Sequence, residues 1–410
     1  GGKLCQRLGL SDVTGQLLGG VMVGPYALYL LGIIPGESSL YGNAVKTFEF
    51  FIFVFLSVVA FAIGEELHWA RLKQVGRNAT VICLIQAALT WIAISSVFIF
   101  FSSLSPIECL VVGSIGIATA PAVTFVIMNK LKIEGRLRNM IGSIVVLDDL
   151  LEVLIFSLLM QIALHRPEAT VGNLLLPVLK EIVLALLIGG AIYLGLSLFV
   201  RRKAAPIEPA EQEIEEGHFL HRILAERPSP SVEILVVVFA FVSIGSGLAF
   251  HYHLPFLITA TFAGILVANF HSSAIFDSLR LENIASVLNL VFFALIGASI
   301  SLSSLDMNAF QLVGLYVGAR TLGKLGGTYL GCKLVKEDRK ITACLPQLML
   351  PQAGVAAVEA VYVSVTLGKP ELAAIILPAV VFFEVVGVFL VDRSLRKWES
   401  WIADEEIVLK

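Results

Sequence analysis

Residues 141–159 read IGSIVVLDDLLEVLIFSLL, and this stretch decides the fold. Apart from Asp148, Asp149 and Glu152 it carries no charge. With its flanks it forms an apolar run over 139–164, longer than the roughly 20 residues that a helix needs to cross a bilayer's hydrocarbon. Ionised carboxylates at that depth are expensive, so they are kept where they act. The i+3 and i+4 spacings put Glu152 on a face shared with the two aspartates, and each of the three influences the others' protonation.

The rest of the chain has the same solvent. Its 410 residues are 57% hydrophobic and only 15% charged, with a mean hydropathy of +0.88. Soluble domains run nearer a quarter charged. Apolar runs recur near 13–34, 47–64, 79–104, 109–128, 139–164, 173–200, 231–250, 254–270, 284–301, 309–332, 341–367 and 372–391, which predicts an all-α polytopic membrane protein of about twelve spans. Lys and Arg gather in alternate connections: Arg71, Lys73 and Arg77; Lys130, Lys132, Arg136 and Arg138; Arg201, Arg202 and Lys203; Lys333, Lys336, Arg339 and Lys340; and finally Arg393, Arg396 and Lys397. The positive-inside rule then places both ends of the chain in the cytoplasm. The opening GGKLCQRLGLSDVTGQ reads as a polar hinge following an earlier helix.

A net charge of −3 and a pI near 6.2 leave no basic surplus for nucleic acid. Cys5, Cys83, Cys109, Cys332 and Cys344 are scattered without metal-ligand spacing, and no cofactor is indicated. The polar stretch 201–230, with RRK, two prolines and EQEIEE, reads as a charged cytoplasmic linker between a first half, 1–200, and a second, 231–410.

Each half contains one interrupted span. In 109–128, SIGIATAPAVTF sets Pro121 beside Thr119 and Thr124; in 341–367, ACLPQLMLPQAGVAAVE sets Pro346, Pro351 and Gly354 within an apolar run. Proline removes a backbone hydrogen bond, and freed polar groups persist at membrane depth only where protein or a water-filled cavity receives them. The two runs are seven spans apart and therefore point in opposite directions. Inverted repeats with crossed, discontinuous helices are the architecture of secondary transporters, whose ion sites lie at the breaks.

The basic counterpart is span 309–332, where LYVGARTLGKLGG places Arg320 and Lys324 four residues apart. Three acids against two bases leave one surplus negative charge for a proton or small cation to neutralise. Carboxylate, the Thr119 hydroxyl and carbonyls freed at a break are hard oxygen ligands suited to Na⁺ or another monovalent cation. A cation and protons competing for one carboxylate pair make exchange obligatory if only the neutralised site crosses the barrier.

At these residues the chain resembles the monovalent cation/proton antiporter superfamily, specifically prokaryotic-type Na⁺/H⁺ antiporters with paired aspartates. The resemblance rests on the order of GGVMVGPYALYLLG, ATAPAVTFVIMNKLKIEGRLRNMIGSIVVLDD, LVFFALIGASISL, ARTLGKLGG and LPQAGVA. It implies a homodimer, each protomer having a dimerisation domain and a moving core with two crossed helices, and thirteen helices in all. It implies that Asp149 binds Na⁺ and protons, that Asp148 assists and pairs with Arg320 as a fixed counter-charge, and that Thr119 lines the site. Glu384 has precedent there as a structural acid, with Lys324 as its partner. Glu152 and Glu359 depart from the pattern, and each adds a potential proton site. A K⁺/H⁺ antiporter of the same fold and a sodium-coupled solute symporter remain as alternatives. An intramembrane aspartyl protease is disfavoured because no Gly-Asp dipeptide occurs.

Overall fold

The computed structural model describes residues 12–24, 28, 53–65, 67, 76–120, 122–165, 171–203, 230–270, 294, 297–298, 307–352 and 354–408. Every regular element among them is helical: α1 (Asp12–Val23), α2 (Phe53–Glu65), α3 (Arg77–Phe101), α4 (Pro106–Ile115), α5 (Ala122–Lys130), α6 (Arg136–His165), α7 (Val171–Lys203), α8 (Pro230–His251), α9 (Phe256–Phe270), α10 (Met307–Leu334), α11 (Arg339–Leu348), α12 (Gly354–Thr366), α13 (Pro370–Phe382) and α14 (Val388–Val408). A π-helical turn, Phe383–Gly387, joins the last two. By length and composition, Arg77–Phe101, Pro177–Phe199 and Pro370–Trp401 can each cross a membrane. Large apolar side chains such as Phe100 on α3 and Leu322 on α10 face outward, as expected where the surroundings are lipid.

The two interrupted spans are each a pair of short helices. α4 ends at Ile115 and α5 begins at Ala122, with residues 118–120 non-helical; α11 ends at Leu348 and α12 begins at Gly354, with Pro351 in the gap. Pro121 lies outside the described residues, as do most of 201–230 and of the expected span 284–301. Pro346 does not break its helix. It sits in the last turn of α11, where a missing N–H forfeits one bond and the helix runs on to Leu348.

The outer ends of these half-helices are capped by side chains. Ser105 and Glu108 form a capping box at the start of α4, and Asp338 accepts from the Lys340 and Ile341 amides at the start of α11; such caps satisfy amides that the helix itself cannot. Glu108 also pairs with Lys369, before α13, at 2.6 Å. At the other end, Glu337, before α11, takes Arg136 at 2.8 Å and Asn78 at 2.9 Å, drawing the starts of α3 and α6 to the end of α10. These contacts orient the fold: α4 enters from the Lys369 end, α11 from the Arg136 end, and they meet head to head. The Ala120 amide donates to the Pro351 carbonyl at 3.0 Å, which ties the two breaks together.

α10 lies close against α3 because glycines allow it. A Cβ on Gly323 would sit 2.5 Å from the Thr90 Cα, and one on Gly327 would sit 2.6 Å from the Gln86 Cα. Small residues at four-residue spacing let membrane helices approach at the backbone. That approach carries Gln86 of α3 and Lys324 of α10 to the same point.

Candidate ion site at the crossing

The crossing creates a demand for donors. α4 and α11 both end there, and the final carbonyls of a helix have no partner within it, while the helix dipole makes each such end partly negative. α10 supplies the donors from one face, with Tyr316, Arg320 and Lys324 at successive four-residue intervals. Arg320 donates Nε to the Gly116 carbonyl at 3.0 Å, Nη2 to that of Ala118 at 2.7 Å and Nη1 to that of Leu350 at 2.6 Å. One guanidinium thus bridges both helix ends. It also lies over the Phe383 ring, 4.4 Å from its centroid. Gln352 donates to the Ile115 carbonyl and to the Tyr316 hydroxyl, each at 3.0 Å.

Lys324 takes the other role. Its Nζ donates to Asp148 Oδ2 at 2.7 Å, to the Thr119 hydroxyl at 2.8 Å and to the Ile117 carbonyl. Thr119 in turn donates to Asp148 Oδ2 at 2.7 Å. Gln86 donates to Asp148 Oδ1, and the Cys83 thiol stands 3.7 Å from that oxygen. Asp148, Lys324, Arg320 and Gln86 are fully buried. Both oxygens of Asp148 are therefore committed to protein donors, as a buried carboxylate requires.

Three expectations change. The partner of Asp148 is Lys324, not Arg320, because the three carbonyls at the crossing already take up the guanidinium. Lys324 is engaged with Asp148 and does not pair with Glu384, which lies in the π-helical turn. Among the described residues a fourth acid joins the expected three, since Glu359 of α12 lies beside Glu152. Asp149, one residue on and so about 100° further round α6, is half-buried where Asp148 is closed off. Gln86, Cys83 and Gln352 were not anticipated. The four-residue repeat of Gly323, Gly327 and Gly331 was the available signal that α10 packs on another backbone.

These oxygens and charges suit a small cation or a proton. Among the described residues no group of three or more His, Cys, Asp or Glu forms a metal site. A family model described as sodium/hydrogen exchanger, transmembrane, matches residues 1–214 and 216–395. The chain is 26% identical over 159 residues to the Na(+)/H(+) antiporter ApNhaP of Aphanothece halophytica, covering 39% of this chain and 30% of that one. It is 27% identical over 223 residues to the high-affinity Na(+)/H(+) antiporter NhaS3 of Synechocystis, covering 46% and 47%. The matches thus span less than half the length of either relative. Two structures of the sodium proton antiporter MjNhaP1 from Methanocaldococcus jannaschii superpose with TM-scores of 0.59 and 0.55, at 20% and 18% identity, each over 98% of this chain and 92% of that one. At such identities the likeness is one of fold.

Proposed function

The chain belongs to the sodium/hydrogen exchanger family, as a multi-pass integral membrane protein, and on that premise we propose that it exchanges Na⁺ for protons across the bilayer by alternating access. The observation that carries this reading is the unequal burial of the two aspartates. Asp148 is locked by Lys324, Thr119 and Gln86, while its neighbour Asp149 is half-buried on the same turn. Asp149 is then the carboxylate that alternates between cation and proton, with Asp148 and Thr119 completing an oxygen shell when Lys324 withdraws. Li⁺ fits the same chemistry.

Lysine as the partner of Asp148 affects the coupling. An arginine keeps its proton under all accessible conditions, whereas a lysine can release one. If the incoming cation takes Asp148 from Lys324, the displaced ammonium gives up a proton, so one proton leaves Asp149 and a second leaves Lys324. The exchange is then electrogenic, two protons for each cation. Arg320 stays fixed throughout and holds the crossing closed. The basic connections, among them Lys130–Arg138 and Lys333–Lys340, face the cytoplasm along with both ends of the chain, the twelve spans are divided by the charged linker expected at 201–230, whose first three residues belong to α7 and whose last begins α8, and the protein works as a homodimer.

The test is proton flux in proteoliposomes with an inside-acid gradient, read by a pH-sensitive dye as salts are added. Proton efflux on adding Na⁺ or Li⁺, but not choline, is the expected result. Efflux with K⁺ in place of Na⁺ would assign a potassium exchanger. No efflux with any cation from folded protein would favour a sodium-coupled symporter.

A further inference from the structure

Glu152 on α6 and Glu359 on α12 are both fully buried and lie within hydrogen-bonding reach of each other. Among the described residues no donor reaches any of their four oxygens. The titratable groups that face them are Asp148 and Asp149 on α6 and Tyr316 on α10; none of these is a cation. Two ionised carboxylates so placed have neither donor nor counter-charge, an arrangement that buried like charges do not sustain. A proton between them supplies both at once, acting as the missing donor and removing one of the two charges.

The pair also occupies a particular depth. One turn beyond Glu152 on α6 is Phe156, and three residues beyond Glu359 on α12 is Tyr362; their rings lie 6.3 Å apart. Both line a cavity of about 350 Å³ at the Lys369 end, which Gln161, His251, His253 and Thr366 also border. In the opposite direction along α6, three residues back, is Asp149. The carboxyl pair therefore stands between residues that line a cavity and the half-buried aspartate.

We propose that Glu152 and Glu359 share a proton and form a second protonation site, which relays protons between this cavity and Asp149. As the cation leaves Asp149, the shared proton passes to the Asp149 carboxylate while a proton from the solution enters through water in the cavity and replaces it, so that Glu152 and Glu359 are never both ionised. The inference rests on the antiport reading for its relay, and on geometry alone for the shared proton.

The test uses the full chain in proteoliposomes with two readouts. Infrared spectra of the wild type at pH 8 carry a protonated-carboxyl C=O stretching band that E152Q/E359Q lacks. Under an inside-acid gradient, E152Q/E359Q exchanges protons for Na⁺ about tenfold more slowly than the wild type, with an altered pH profile and an unchanged KM for Na⁺. If the double variant does not fold, E359Q takes its place, since its amide can donate to Glu152, and it is judged by the same two readouts. A wild type without the band, or a variant with wild-type turnover and pH profile, overturns the proposal. D149N separates the two readings: it keeps the band, so transport persisting in D149N would count against the antiport site and leave the shared proton standing.

Discussion

Lys324 and Asp148 meet at 2.7 Å with both side chains fully buried, and the pair sits where the two broken helices cross. A buried ion pair is sustained by its additional hydrogen bonds, and here Thr119, Gln86 and the Ile117 carbonyl provide them. K324A leaves Asp148 as an uncompensated charge, and its expected cost is about 3–5 kcal/mol of stability. D148N/K324Q removes both charges and is expected to cost less than K324A alone. Thermal unfolding in detergent measures both; equal losses would mean that the pair is not coupled.

The Arg320 guanidinium reaches three carbonyls on two helix ends. An ammonium keeps the charge but lacks the planar fork. R320K is therefore expected to lose about 2–3 kcal/mol of stability, within the range for hydrogen bonds from charged donors. A wild-type melting temperature in R320K would show that the charge alone suffices.

Gly326 and Gly327 are neighbours on different faces of α10. A Cβ on Gly327 meets the α3 backbone, whereas nothing lies within 4 Å of one on Gly326. G327A is expected to lower both the melting temperature and transport by pushing α10 away from Gln86. G326A is expected to do neither, and equal effects from the two would refute close packing as the cause.

Electrogenic exchange is speeded by a shunt for charge. Valinomycin with K⁺ on both sides is expected to accelerate Na⁺-driven proton flux in the wild type but not in K324R, whose arginine retains its proton. An unaccelerated wild type would indicate electroneutral exchange and leave Lys324 outside the coupling.

Burial pushes the Glu337 carboxyl up, but hydrogen bonds from Arg136 and Asn78 outweigh it and hold the group below its ordinary value of 4.5. A carboxyl lowered by folding contributes stability above that ordinary value and loses it as the pH falls through the lower, folded one. Wild-type protein is thus expected to lose part of its stability through that acidic window, and E337Q to lack that component. Parallel pH profiles of melting temperature for the two would contradict the clamp between α3, α6 and α10.

The sequence made the helical class and the two interruptions legible, because long apolar runs broken by short Pro- and Gly-bearing stretches have few other readings. Partner choice was not legible. Arg320 and Lys324 lie on one helical face, and from the chain alone either could reach Asp148. What separates them is the register of α10 along the crossing, which Gly323 and Gly327 set against α3. With that register, Arg320 falls beside the carbonyls at the ends of α4 and α11, and Lys324 falls one turn on, beside Asp148 and Thr119. Glu359 was visible as a departure from an apolar run, but its meeting with Glu152 depends on how α12 leaves the break. Gln86 carries no signal of its own.

Competition between Na⁺ and protons at Asp149 is read from the KM for Na⁺ in proteoliposomes as a function of pH, for the wild type and D149N. If Na⁺ displaces one proton from Asp149 and a second from Lys324, KM rises by up to about a hundredfold for each unit of acidification where both groups are protonated, the maximal rate holds, and D149N is inactive. A KM independent of pH, or Na⁺-driven proton movement in D149N, would contradict it.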